Sequence, residues 1–178
     1  MKRVILLLVV ALSVATASAQ IKLGVSPGIQ LQTEAGDDGL VGFGGAISGE
    51  YLINPNIGLG VNLGYYIMDR EKVGGYSATV YLMPATLTGK YYFLTEDVRP
   101  YGGVDVGLFT AGARTKVERI SKSYSETKFG LAPVVGCQFG LGNNLALDVN
   151  VKYSHVFVDG GSDGFVGINV GVVYSFGR

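Results

Sequence analysis

From residue 20 onward the chain alternates with period two between large apolar residues and small or polar ones, in eight stretches separated by turn-forming or charged residues. Period two is the signature of an extended strand, whose successive side chains point to opposite faces. The clearest stretch, 57–68, carries Ile57, Leu59, Val61, Leu63, Tyr65 and Ile67 on one parity. The other parity there is Gly58, Gly60, Asn62, Gly64, Tyr66 and Met68. The last stretch, 165–176, repeats the plan with Val166, Ile168, Val170, Val172, Tyr174 and Phe176 against Phe165, Gly167, Asn169, Gly171, Val173 and Ser175. The pattern predicts strands over about 21–32, 41–53, 57–68, 78–93, 100–111, 129–141, 145–157 and 165–176. Within 78–93 the parity is mixed, with Val80 on one side and Met83, Leu87, Tyr91 and Phe93 on the other.

The connections alternate in kind. Asn54-Pro55-Asn56, 94–99 and Gly142-Asn143-Asn144 are short and carry turn chemistry. Segments 34–40, 69–76, 112–128 and 158–164 are longer, charged or glycine-rich, and predict loops. Eight strands with short turns on one side and long connections on the other predict an all-β, eight-stranded antiparallel up-and-down transmembrane β-barrel. Pro27, Pro84 and Pro133 fall inside predicted strands. A proline cannot donate to a ladder, so strand ends or local bulges are expected there.

The minority parity decides between a membrane and a soluble barrel. A water-facing wall is rich in Lys, Arg, Asp and Glu, yet neither parity of these strands is. The apolar parity suits lipid, and the small polar parity suits the cramped interior of a narrow barrel. Tyr51, Tyr65, Tyr91, Phe93, Phe129, Tyr153, Phe157, Tyr174 and Phe176 gather near strand ends, as in the aromatic girdles at membrane interfaces.

Residues 1–19 are set apart from this pattern. Lys2 and Arg3 precede the nearly unbroken apolar run Val4 to Ala15, and Ala17-Ser18-Ala19 forms an A-x-A site. This is the plan of a cleaved signal peptide, leaving residues 20–178 as the barrel domain. Without Lys2 and Arg3 the charge falls from zero to −2, so no global basic footprint for nucleic acid exists. Cys137 is the only cysteine, which excludes an intramolecular disulfide. The 28 glycines are interleaved with strand-forming residues and have no collagen period.

Five charged residues occupy the inward parity: Glu50, Lys90, Asp105, Asp148 and Lys152. A turn centred between Asp97 and Val98 would set Lys90 directly opposite Asp105, while Asp148 and Lys152 share one strand face. Buried opposite charges must pair, and two readings follow: an ion-pair plug filling the lumen, or a gate or proton path. His155 lies on the outward parity, so the adjacent Ser154 points away from it and no nucleophile–base pair forms within this strand. The segment 112–128 places Arg114, Lys116, Arg119, Lys122 and Lys128 against Glu118 and Glu126. It reads either as a solvated loop or as a contact for lipopolysaccharide or another polyanion. No metal-ligand spacing and no phosphate-loop context occur, so neither a metal nor a cofactor is expected.

Pro84-Ala85-Thr86-Leu87-Thr88-Gly89-Lys90-Tyr91-Tyr92-Phe93 and Arg99-Pro100-Tyr101-Gly102-Gly103-Val104-Asp105-Val106-Gly107 resemble phrases of the small eight-stranded outer-membrane barrels, the OmpA/OmpX-like "porin family" class. The ending Val170, Val172, Tyr174, Phe176 is similar to the assembly signal of that class, although Gly177 and Arg178 follow the phenylalanine. The resemblance covers the whole of 20–178. It implies residence in the outer membrane of a Gram-negative cell, with lipid and lipopolysaccharide around the protein and the barrel-assembly machinery as partner during insertion. It implies a non-enzymatic role in envelope integrity or surface interaction. Three alternatives stay open: a narrow channel for small solutes, a soluble lipocalin-like periplasmic binder, and a barrel hydrolase for which the single His155 is the weak point.

Overall fold

A computed structural model describes residues 20–33, 41–73, 76–117, 120–158 and 160–177; the expected signal peptide and the expected 34–40 loop lie outside them. Eight strands form one closed antiparallel barrel. They are β1 Gln20–Gln32, β2 Val41–Asn54, β3 Ile57–Val73, β4 Tyr76–Tyr92, β5 Val98–Val117, β6 Ile120–Gly142, β7 Leu145–Val158 and β8 Gly161–Phe176. Each strand pairs with its sequence neighbours, and β1 closes the ring onto β8 through pairs such as Leu23 with Tyr174 and Ile29 with Ile168. Closure leaves the membrane-spanning part without an unpaired edge, the condition for backbone polar groups to survive in lipid.

The large apolar parity faces outward. Leu59, Leu87, Leu108, Val135 and Val170 are all exposed on the outer wall, Leu87 the most at 68%. Val80 is the exception: it turns inward and packs on Tyr66, Met68, Leu82, Phe109 and their buried neighbours. This follows β4's own alternation, since Leu82 is also buried; the irregularity between Ile67 and Asp69 shifts the count on β3 alone, setting Asp69 opposite Val80. Ring pairs mark both edges of the apolar band: Tyr65 with Tyr81 and Phe129 with Phe157 on the long-hairpin side, Tyr91 with Phe93 and Tyr174 with Phe176 on the short-turn side. From Tyr81 to Tyr91 along β4, strand rise of ~3.3 Å per residue and a tilt of ~40° give a height of ~25 Å, that of an outer-membrane apolar band.

The short turns are built as their residues dictate. Asn54 Oδ1 accepts the backbone N–H groups of Asn56 and Ile57 at 2.9 and 2.8 Å, the Asx geometry that replaces a ladder bond at a reversal. Gly142, Asn143 and Asn144 all have positive φ, at 85°, 51° and 67°, a conformation open to glycine and tolerated by asparagine.

Three expected loops are strand instead. β3 and β4 stay paired to Val73 with Tyr76. β5 and β6 run on to Val117 with Ile120, and β7 and β8 to Val158 with Gly161. Hydrophobic alternation reports where a strand meets lipid, whereas backbone pairing continues into water wherever Thr, Ser, Tyr and Val favour it. The segment 112–128 is therefore a projecting hairpin.

The prolines sit within strands rather than at the rim, so local irregularity, the second of the two expected accommodations, is the one found. Each lies where the ladder on one side is interrupted. The β1–β8 pairing skips from Val25 to Gly28 around Pro27. The β3–β4 pairing skips from Ala85 to Leu82 around Pro84, and the β6–β7 pairing from Leu131 to Val134 around Pro133. A proline has no N–H to donate, and such an interruption of the ladder is where it is best tolerated.

Candidate functional site

The inward parity builds a polar belt across the lumen. Lys22, Glu50, Asp105 and Asp148 are buried there, and Lys90 and Lys152 join them in ion pairs. These six are three cations and three carboxylates, so the belt is neutral. Lys90 Nζ donates to Glu50 Oε2 at 2.9 Å, and the Tyr92 hydroxyl donates to Glu50 Oε1 at 2.7 Å. Lys152 donates to Asp105, which also accepts from the Thr88 hydroxyl. Asp148 accepts from Tyr101, from Gln138 Nε2 at 3.0 Å and from Asn150 Nδ2 at 2.6 Å.

These contacts close on themselves. Lys22 Nζ donates to Gln138 Oε1 at 2.9 Å and lies 4.3 Å over the Tyr92 ring. Lys90 Nζ lies 4.7 Å over the Tyr101 ring. Each tyrosine thus gives its hydroxyl to a carboxylate and its ring face to a lysine, a desolvated cation–π arrangement. The circuit runs Lys22, Gln138, Asp148, Tyr101, Lys90, Glu50, Tyr92 and back to Lys22. Asn169 and Tyr66 extend it, with Tyr66 donating to Asn169 at 2.8 Å and Asn169 to Asn150 at 3.1 Å. All eight strands contribute a member. A cavity of about 40 Å³ remains among these side chains, enough for a few waters. Toward the long hairpins, the buried cluster of Tyr66, Leu82, Phe109, Ala132, Val156 and Phe165 lies over the belt.

The pairing of Lys90 with Asp105 expected from sequence is not formed. Tyr92 pairs with Tyr101, so Thr88 stands opposite Asp105 and Lys90 opposite Gly103. The turn is centred one residue earlier than expected, fixed by the Phe93 N–H to Pro100 carbonyl bond at 2.9 Å. Asp148 and Lys152, on one strand, take different partners. Both ion pairs instead skip a strand. Glu50 on β2 meets Lys90 on β4 across β3, where the two residues are registered against Gly60 and Gly58. Asp105 on β5 meets Lys152 on β7 across β6, registered against Ala132 and Val134. The tight curvature of an eight-stranded wall brings next-nearest strands within reach wherever the intervening residue is small.

Gly58 tests this directly, since a Cβ there would collide with the Glu50 carboxyl group. Gly58→Val is expected to displace Glu50 from Lys90 and cost ~1–3 kcal/mol as an overpacked interior. Gly49→Val, with only ordinary contacts to Leu23 and Val61 on the outer wall, is expected to have little effect. The folded, heat-modifiable fraction across a urea series measures both; equal losses would sink the role given to Gly58.

Lys22, Tyr92, Tyr101 and Gln138 are members of the circuit that the sequence reading did not single out. Their parity was the available signal: each stands on the inward side of its strand. Of the other candidates, His155 stacks edge-on to Phe157 at 5.0 Å on the outer wall, and Ser154 is buried on the opposite face. Cys137 is half-buried. Val170, Val172, Tyr174 and Phe176 form an exposed outward row on β8. Of the basic segment, Arg114 is exposed on β5, and Lys128 pairs with Glu126 at 2.8 Å on β6. Lys116 and Lys122 hold register positions opposite Ser121 and Thr115, but their side chains, like Arg119 as a whole, lie outside the described residues.

Comparison with known proteins agrees with this geometry. The chain aligns with Ail, the attachment invasion locus protein of Yersinia pestis, at a TM-score of 0.65 and 18% identity, over 89% of this chain and 99% of that one. For Neisserial surface protein A the values are 0.64 and 20%, over 89% and 97%. For OprG of Pseudomonas aeruginosa they are 0.57 and 16%, over 91% and 97%. These likenesses show the fold. An uncharacterised protein of Haemophilus influenzae is 36% identical over 92 residues, 51% of this chain, and the chain spans about half the length of that relative. The sequence model of the outer membrane protein beta-barrel domain matches residues 4–176, and with the closed eight-stranded barrel and its lipid-facing apolar wall this places the chain in that family.

Proposed function

We propose that this outer-membrane barrel is a non-enzymatic, non-conducting element of the envelope that acts through its outer hairpins. The observation that carries this reading is the circuit of interior side chains to which all eight strands contribute. A lumen filled in this way is a fastening rather than a conduit. The surface that stands clear of this lumen is the projecting sheet of β3 to β6, the four longest strands. Ail, a barrel of the same fold, has been crystallised in complex with the heparin analogue sucrose octasulfate, which supports an anionic partner for such a surface. In this reading residues 1–19 direct export, the outward row ending at Phe176 is read by the barrel-assembly machinery, and lipid and lipopolysaccharide surround the wall. The runner-up is a narrow channel, favoured by the water-sized cavity among the charges.

Single-channel recording in planar bilayers separates the two. The wild-type protein is expected to give no sustained open level. Lys90→Ala, which leaves Glu50 without its cation, is expected to lower the unfolding temperature and still give no sustained current. Stable unitary currents from the wild-type protein would replace this reading with the channel.

A further inference from the structure

The end of the barrel away from the projecting sheet is hollow. A vestibule of about 250 Å³ opens between the short turns. Lys22 and Gln138 line both this vestibule and the small cavity within the belt, so they form its floor. Lys22 is registered against Ser175, which lies between the paired rings of Tyr174 and Phe176. The floor therefore stands at the level of the aromatic edge, within reach of water from the short-turn side.

The floor is cationic. Gln138 gives its oxygen to Lys22 and its nitrogen to Asp148, so one amide ties the vestibule to the belt. Arg99 is registered directly opposite Gln138 and also lines the vestibule; directly paired residues share a face of a sheet. The belt is neutral before Arg99 is counted, with Lys22, Lys90 and Lys152 balancing Glu50, Asp105 and Asp148. Arg99 is thus a surplus charge, and it is half-buried. Its Nε donates to the Glu96 carbonyl at 3.0 Å, which pins one corner of the guanidinium. Its four other N–H groups have no partner among the described residues, and no described carboxylate is in ion-pair contact with Arg99 or Lys22. An open guanidinium fork in a concave site matches the two oxygens of a carboxylate. The rim has the opposite sign: Glu96 and Asp97, exposed in the turn before β5, are the only carboxylates among the lining residues. A polyanion is repelled as it passes them, whereas a single negative charge that reaches the floor meets two cations.

We propose that this vestibule binds a small organic monocarboxylate, its carboxylate on the fork of Arg99 with Lys22 beneath it. The volume is below the ~300–1,000 Å³ of sites that enclose drug-sized molecules, which limits the ligand to a few heavy atoms beyond the carboxylate. Asn143, Asn144 and Ser175 add uncharged donors around it. The site is blind, because the belt and the buried apolar cluster close the lumen beyond it, so the ligand enters and leaves by the same mouth. With the hairpins outside the cell, as in the function proposed above, that mouth opens to the periplasm.

The full-length barrel, labelled with nitrogen-15 and held in phosphatidylcholine nanodiscs, is titrated with propionate, propionamide and phosphate at constant ionic strength. Backbone amide resonances of Gln138, Asn143 and Ser175 report on the vestibule, and those of Ser123 and Thr127 on the opposite end. Propionate is expected to move the first set along a saturable curve in the millimolar range and to leave the second set in place. Propionamide and phosphate are each expected to bind about tenfold or more weakly, the first for want of charge and the second for excess of it. Arg99→Gln is expected to weaken propionate by about tenfold or more. Heat-modifiable mobility checks that the variant has folded; should it not, Arg99→Lys keeps the charge without the fork and is expected to lose affinity severalfold. Shifts that never saturate, or that propionamide reproduces, would reduce the vestibule to a wet mouth and overturn the proposal. Phosphate binding as tightly as propionate would overturn the choice of a monocarboxylate, and undiminished binding in the folded Arg99 variant would remove the site from Arg99. Open-channel currents would overturn the functional reading and leave the binding result standing.

Discussion

Asp105→Ala is expected to destabilise the barrel by about 3–5 kcal/mol, the usual consequence of removing one partner from a buried ion pair. Asp105 is 1% exposed and accepts from Lys152, Thr88 and Asn62. Its removal leaves an ammonium group in the lumen with no carboxylate in contact, takes the acceptor from the Thr88 hydroxyl, and leaves Asn62 only its bond to Thr88. The cost is mainly the stranded charge, since the net value of such a pair over an apolar one is small. The double variant Asp105→Ala/Lys152→Met is therefore expected to recover most of the loss. Urea titration of the heat-modifiable species in detergent micelles or lipid reads the wild type, Asp105→Ala, Lys152→Met and the double variant. A double variant as unstable as the sum of its single changes would show that pairing with Lys152 is not what Asp105 contributes.

Leu87→Arg is expected to impair insertion by about 2–4 kcal/mol, the cost of a basic side chain at the bilayer midplane. Leu87 is the most exposed of the outer-wall residues of β4. It lies between Tyr81 and Tyr91, in the row that joins Val61 to Val106. Leu94→Arg, just beyond the end of the same strand and also exposed, is expected to cost no more than about 1 kcal/mol, because the penalty fades toward the interface. Folding yields into vesicles of matched thickness measure the difference. Similar yields for the two variants would move Leu87 away from the membrane centre and overturn the height assigned to the apolar band.

The two expectations draw on different levels of information. That Leu87 faces lipid was legible from parity alone, because a strand held between lipid and a packed lumen alternates at every step. The partners of Asp105 were not. Asp105 and Lys90 stand on the inward parity of consecutive strands, and the shift of one residue in the turn centre was enough to put Thr88 in the place expected for Lys90. Nothing in the turn residues 94–97 dictates that centre. Val80 shows the limit of hydrophobicity as a signal: it stands on the inward parity of β4 with Leu82 and Thr86, and an apolar side chain alone does not say whether it meets lipid or the lumen. The hairpin of β5 and β6 was read as a loop because both of its faces meet water, so the alternation that announces a strand is absent while the backbone ladder continues.

Alternation along the chain was enough to give the number of strands, their order, the face each turns to lipid, and five of the six charges hidden in the belt, Lys22 being the one passed over. Those properties are local: each follows from a period of two and from the cost of exposing a charge to hydrocarbon. Only the closed barrel decided which buried charge meets which. Glu50 reaches Lys90, and Asp105 reaches Lys152, because curvature brings next-nearest strands together over Gly58, Gly60 and Ala132. That proximity is a property of the ring and its registers, and no strand or neighbouring pair of strands contains it.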